Sequence, residues 1–144
     1  MFERILNSKL PDIISKYSEQ KPSLVFCQTQ SGTVMACQML ISTLPRDYFI
    51  TNDKQLTTLV TKSKQLSTED LRQMVVSGVV YHNASLSHRD RKIIEELFIA
   101  GYVKVICTTS TLSMGVNLPA RLVVVKATTC YRGAGKGYEE YTKA

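Results

Sequence analysis

Val103-Lys104-Val105-Ile106-Cys107 runs directly into Thr108-Thr109-Ser110-Thr111-Leu112-Ser113-Met114-Gly115-Val116-Asn117-Leu118-Pro119-Ala120, and Arg121 to Lys126, nearly all Val and Leu, follows. Runs this short and this apolar suit strands buried on both faces, as in a parallel sheet covered by helices. Four successive hydroxyl side chains, Thr108 to Thr111, leave the first of them. Hydroxyls and free backbone N–H groups at a strand end suit phosphate contacts, which position a nucleic acid without reading its bases. Gly115 permits close backbone approach, and Asn117 offers both donor and acceptor.

Working outward, the same alternation recurs. Pro22 leads into the apolar run Ser23 to Cys27. A helix from Thr33 to Thr43 follows, with Val34, Cys37, Leu40, Ile41 and Leu44 at helical spacing and Pro45 as its stop. Pro11 suits the first turn of a helix reaching about Glu19, with Ile13, Ile14 and Tyr17 on one face. Residues 46–66 are polar and weakly patterned, and read as a surface insertion with one helical stretch. Ser67-Thr68-Glu69-Asp70 opens a capped helix closed by Gly78, and Val79 to His82 is a short strand. Ser87-His88-Arg89-Asp90 opens another helix, with Ile93, Ile94, Leu97 and Phe98 facing the core and Gly101 at its end. The last 18 residues, rich in Gly, Tyr and Lys, read as a loop. The sum is one α/β domain over residues 1–144, with crossover helices and at least four parallel strands.

Ligands of open α/β sheets gather beyond the C-terminal ends of the strands. Besides the loop after Cys107, two such loops carry polar chemistry. Gln28-Thr29-Gln30-Ser31-Gly32 opens a helix, either as a place for a phosphate oxygen or as a plain turn capped by Ser31. His82-Asn83-Ala84-Ser85-Leu86-Ser87 is the other, and His82 there either contacts nucleic acid, bridges to another loop or bonds within its own turn.

Composition narrows the class. With 144 residues, 44% hydrophobic and 21% charged, the chain is neither disordered, collagen-like nor a disulfide scaffold. Eighteen Lys and Arg against 12 Asp and Glu give +6, which suits a polyanionic partner and is also an ordinary solubility charge. Cys27, Cys37, Cys107 and Cys130 share no C-x-x-C spacing and only two His accompany them, so reduced thiols and no metal site are expected. No apolar run approaches the ~18–20 residues that cross a bilayer, and the N-terminus lacks a signal-peptide core. A soluble, intracellular domain with no membrane partner is the expectation.

The stretch Thr109 to Ala120 resembles motif V of superfamily 2 DExH-box helicases of the superkiller-like group. Ser23 to Gln30 resembles motif IV of that group. His82-Asn83-Ala84, followed by Asp90-Arg91, Glu95-Glu96, Phe98 and Gly101, resembles the segment between the two motifs. The continuation Arg121 to Thr128, with Tyr131 beyond, is most like the meiotic crossover DNA helicases, with the spliceosomal and archaeal repair branches as neighbours. Gln30 departs from the usual Arg, and Asn83-Ala84-Ser85 from the usual His-Ala-Gly.

The resemblance implies the second RecA-like lobe of an ATP-driven helicase, a three-layer sandwich that grips one strand and closes over ATP. By motif position, Thr29, Asn83, Ala84 and Thr109 would contact the sugar-phosphate backbone, and Gly115 and Asn117 would lie on the nucleotide side. ATP and magnesium would be bound mainly by a first RecA-like lobe, the expected partner within the same polypeptide. Single-stranded nucleic acid, DNA in preference to RNA, would be the substrate, and the location nuclear. An RNA helicase lobe of the same group, and a non-motor nucleic-acid-binding module, are the alternatives. Arg132-Gly133-Ala134-Gly135-Lys136-Gly137 is not a Walker A motif, because Cys130 stands at its first Gly position and Gly137 at its Ser/Thr position. Neither Asp-Glu-x-His nor the arginine-bearing motif VI occurs. The expectation is a lobe cut before motif VI, without catalytic residues of its own, binding no cofactor and hydrolysing no ATP in isolation.

Overall fold

The computed structural model describes residues 2–18, 21–109, 120 and 122–125. Along the chain these form α1 (Phe2–Tyr17), β1 (Ser23–Phe26), α2 (Gln30–Thr43), α3 (Asp53–Ser63), α4 (Glu69–Val75), β2 (Val79–His82), α5 (His88–Ile99), β3 (Val105–Thr108) and β4 (Leu122–Val125). The strands make one sheet in the order β2-β3-β1-β4, and each neighbouring pair is parallel. The expected α/β architecture is therefore the observed one.

Register aligns the strand ends. Phe26 stands beside Thr108 and Val125, and Thr108 stands beside His82. The loops after β1, β2 and β3 therefore leave from one edge. The chain moves one way along the sheet from β1 to β2 and back from β2 to β3. Right-handed crossovers then put α5 on the face opposite α2 and α4. Leu24, Val25, Val80, Val105, Ile106 and Cys107 fill the interior of the sheet, as double-sided burial requires. Ile94, Leu97 and Phe98 cover it from α5, and Ala36, Cys37 and Leu40 from α2. Each large apolar side chain so buried contributes about 1.5–3 kcal/mol.

Three local readings change. The first helix begins at Phe2, so Pro11 lies inside it and not at its first turn. Leu10 and Ile14, both in the core, hold that helix against the body across the missing hydrogen bond. The helix after β1 is capped by Thr29, whose Oγ1 accepts from the Gly32 N–H at 2.9 Å, and not by Ser31. Residues 46–66 are more than a surface insertion. Phe49, Leu59 and Leu66 are core residues.

Gln55, 2% exposed, fixes that segment. Its Nε2 donates to Phe49 O at 2.8 Å and to Tyr102 O at 2.9 Å. Its Oε1 accepts from the Thr51 N–H at 2.7 Å and the Thr51 hydroxyl at 3.1 Å. A buried amide satisfied this fully locks α3 to the approach of β3. Gly78 (φ +87°) and Gly101 (φ +86°) turn the chain out of α4 and α5 into the strands that follow.

Candidate nucleic-acid interface

Thr29, Ala84 and Thr109 lie at the common edge where β1, β2 and β3 end. Gln28 to Ser31 are exposed, as are Ala84 and Ser85, and Thr109 is half-buried. The Thr29 hydroxyl oxygen serves as an acceptor in its cap, which leaves the hydroxyl its own proton as a donor. Ser31 Oγ stands 3.4 Å away on the same exposed turn. The first turns of α3, α4 and α5 each contain an acidic residue, whereas that of α2 contains none. Its positive N-terminal end is thus not neutralised locally, the electrostatic condition an incoming phosphate needs.

Asn83 occupies the same edge but turns inward and is 1% exposed. Its Nδ2 donates to Thr33 Oγ1 at 3.0 Å. Its Oδ1 accepts from the Ser85 N–H at 2.9 Å and from the Ser85 hydroxyl. Thr33 Oγ1 in turn donates to Gln30 O at 2.6 Å. The outward face of this loop belongs to Ala84 and Ser85. Thr108, first of the hydroxyl run, is also buried, its Oγ1 donating to Thr109 O at 2.7 Å. Gly115 and Asn117 lie outside the described residues, as do Cys130, the segment from Arg132 to Gly137 and the rest of the terminal run.

His82 is fully buried and faces Glu95 of α5, so it does not meet solvent. Its Nε2–H donates to Glu95 Oε2 at 2.6 Å, while Nδ1 has no partner. Burial pushes the imidazole below its ordinary pKa, against the opposing pull of the Glu95 carboxylate. The neutral ring therefore anchors the end of β2 to α5. At the start of that helix, Ser87 Oγ accepts from the Asp90 N–H at 3.1 Å. The buried Asp90 carboxylate accepts from the Ser67 hydroxyl and, at 3.2 Å, from the Ser67 N–H. The supporting roles of Thr33, Glu95 and Asp90 are not legible in the sequence. A helical Thr or a buried carboxylate has no local signature apart from its partner.

A cavity of about 740 Å³ lies elsewhere, between the C-terminal turn of α2, α3 and α4, where Ile41, Leu44, Ile50, Leu56, Val60 and Val76 line it. It is apolar and carries none of the strand-end groups. Among the described residues no three His, Cys, Asp or Glu side chains gather as metal ligands. Cys27, Cys37 and Cys107 are buried. No described helix is long and apolar enough to cross a membrane.

Residues 46–142 match the helicase conserved C-terminal domain. The chain is 38% identical to the ATP-dependent DNA helicase homolog MER3 of Arabidopsis thaliana, over 100% of its own length and 13% of that protein. It is 41% identical to the probable ATP-dependent DNA helicase HFM1 of Homo sapiens, over 99% of its length and 10% of the relative. The yeast ATP-dependent DNA helicase MER3 is 33% identical over 92% of the chain and 10% of its own length. The chain thus spans about a tenth of the relatives it matches. With an α/β parallel sheet and polar loops at one strand edge, it belongs to the helicase conserved C-terminal domain family.

Proposed function

We propose that this chain is the second motor lobe of an ATP-dependent DNA helicase of the meiotic crossover type, and that it grips the backbone of a single strand. The observation that supports this most is that β1, β2 and β3 end side by side at one edge, beside an α2 whose first turn contains no acidic residue. In this reading Thr29 donates its hydroxyl proton to a phosphate oxygen, and the exposed Ala84 and half-buried Thr109 meet the strand beside it. Asn83, buried beneath the two exposed turns, supports the same grip from within. Gly115 and Asn117 line the nucleotide side, facing a first RecA-like lobe that would hold most of the ATP and its magnesium. Work on meiotic DNA implies a nuclear location. Alternate closing and opening against that first lobe would shift the grip along the strand, the lobe itself supplying backbone contacts and no cleavage chemistry.

Fluorescence anisotropy of a labelled single-stranded oligonucleotide, titrated with this chain at several salt concentrations, tests the grip. Binding should be indifferent to base sequence and should weaken linearly in log K against log salt. Absence of binding at low salt, or affinity that ignores salt, would contradict the proposal.

A further inference from the structure

Asn83 and Thr33 form a link that contact with a strand does not explain. Asn83 sits in the loop after β2 and Thr33 in the first turns of α2, fifty positions apart in the chain. Both are buried. Asn83 Nδ2 donates to Thr33 Oγ1, and Thr33 passes its own hydroxyl proton to Gln30 O within the exposed turn that carries Thr29. On the other side, Asn83 Oδ1 collects both the N–H and the hydroxyl of Ser85, and so shapes the exposed turn at Ala84. One relay therefore runs from the backbone of one exposed loop to the backbone of the other.

We propose that Asn83 is a positioning residue and not a strand contact. With Thr33 as its partner, it holds the Thr29 turn and the Ala84–Ser85 turn at a fixed spacing, so that one phosphodiester backbone meets both. This deepens the strand-grip reading and rests on it. Buried side-chain networks of this kind act as units, because removing either end frees both loops. A strand spanning the two turns then meets them in many relative positions, and binding weakens though no contacting group has been removed.

A binding cycle on this chain tests the link, with labelled oligo(dT) as probe and far-UV circular dichroism as the check of folding. Thr33→Val replaces the hydroxyl by a methyl of similar size. It should weaken oligo(dT) binding about fivefold, the scale of one hydrogen bond. Asn83→Ala should weaken it similarly, and the double variant should be no weaker than either single one. Thr33→Ser, which keeps the hydroxyl, should bind as the parent does, a rescue that loss of packing alone would not give. Parental affinity in Thr33→Val, or single losses that multiply in the double variant, would overturn the proposal. So would a lowered melting temperature with unchanged affinity. If Asn83→Ala does not fold, the Thr33→Val and Thr33→Ser pair decides alone. Failure of the unsubstituted chain to bind oligo(dT) would instead sink the strand-grip reading itself.

Discussion

His82 joins a sheet edge to a helix through a neutral imidazole, which makes its protonation a property of the fold. Burial lowers its pKa, and the Glu95 hydrogen bond and charge pull it back only in part. The unfolded chain takes up a proton near pH 6.5, whereas the folded chain refuses it until lower pH. Between those two values the unfolded state binds more protons, so stability falls as pH falls through the window. The urea midpoint should be flat from about pH 7 to 8 and decline below about pH 6.5. His82→Gln should remove this residue's share of the decline. Identical profiles for the two proteins would show that His82 does not titrate differently in the folded state. Gln55 is a second residue whose role lies in its partners. Gln55→Leu strands Phe49 O, Tyr102 O and the Thr51 N–H, and should lower stability by about 2–4 kcal/mol with an unchanged denaturant slope.

At the scale of elements, the two helix-ending glycines separate conformation from crowding. Both have positive φ, +87° at Gly78 and +86° at Gly101. A Cβ at Gly78 would meet Phe49 Cβ at 3.1 Å, whereas one at Gly101 would meet nothing within 4 Å. Gly101→Ala should therefore lower stability by about 1 kcal/mol through backbone strain alone. Gly78→Ala should lose about 2–3 kcal/mol, because Phe49 belongs to the core and must give way. Equal losses in chemical denaturation would mean that Phe49 yields freely.

The same elements show what local pattern can and cannot carry. Val79 to His82 and Ser23 to Phe26 are legible because a strand buried on both faces is mostly apolar, with Ser23 and His82 as the buried polar exceptions. The start of α1 was not. Proline favours a first turn, whereas here Pro11 lies inside a helix that packs Leu10 and Ile14 into the core. Residues 46–66 looked like surface because the residue that ties them down is a glutamine, polar in sequence and buried in the fold.

For the molecule as a whole, the parallel sheet brings Thr29, Ala84 and Thr109 to one edge, and that much follows from parallel strands and the strand-end rule. The direction of each side chain did not follow. Asn83 and Thr108 carry the same polar groups as their exposed neighbours, and only their partners, Thr33 and the Thr109 carbonyl, turn them inward. Strand gripping by this edge is best tested by nuclear magnetic resonance, titrating the isotopically labelled chain with unlabelled oligo(dT) at low and high salt. Amide shifts should concentrate at Thr29, Gly32, Ala84, Ser85 and Thr109 and fade as salt rises. Shifts confined to the apolar cavity at Ile41, Val60 and Val76, with the strand-end amides unmoved, would contradict it.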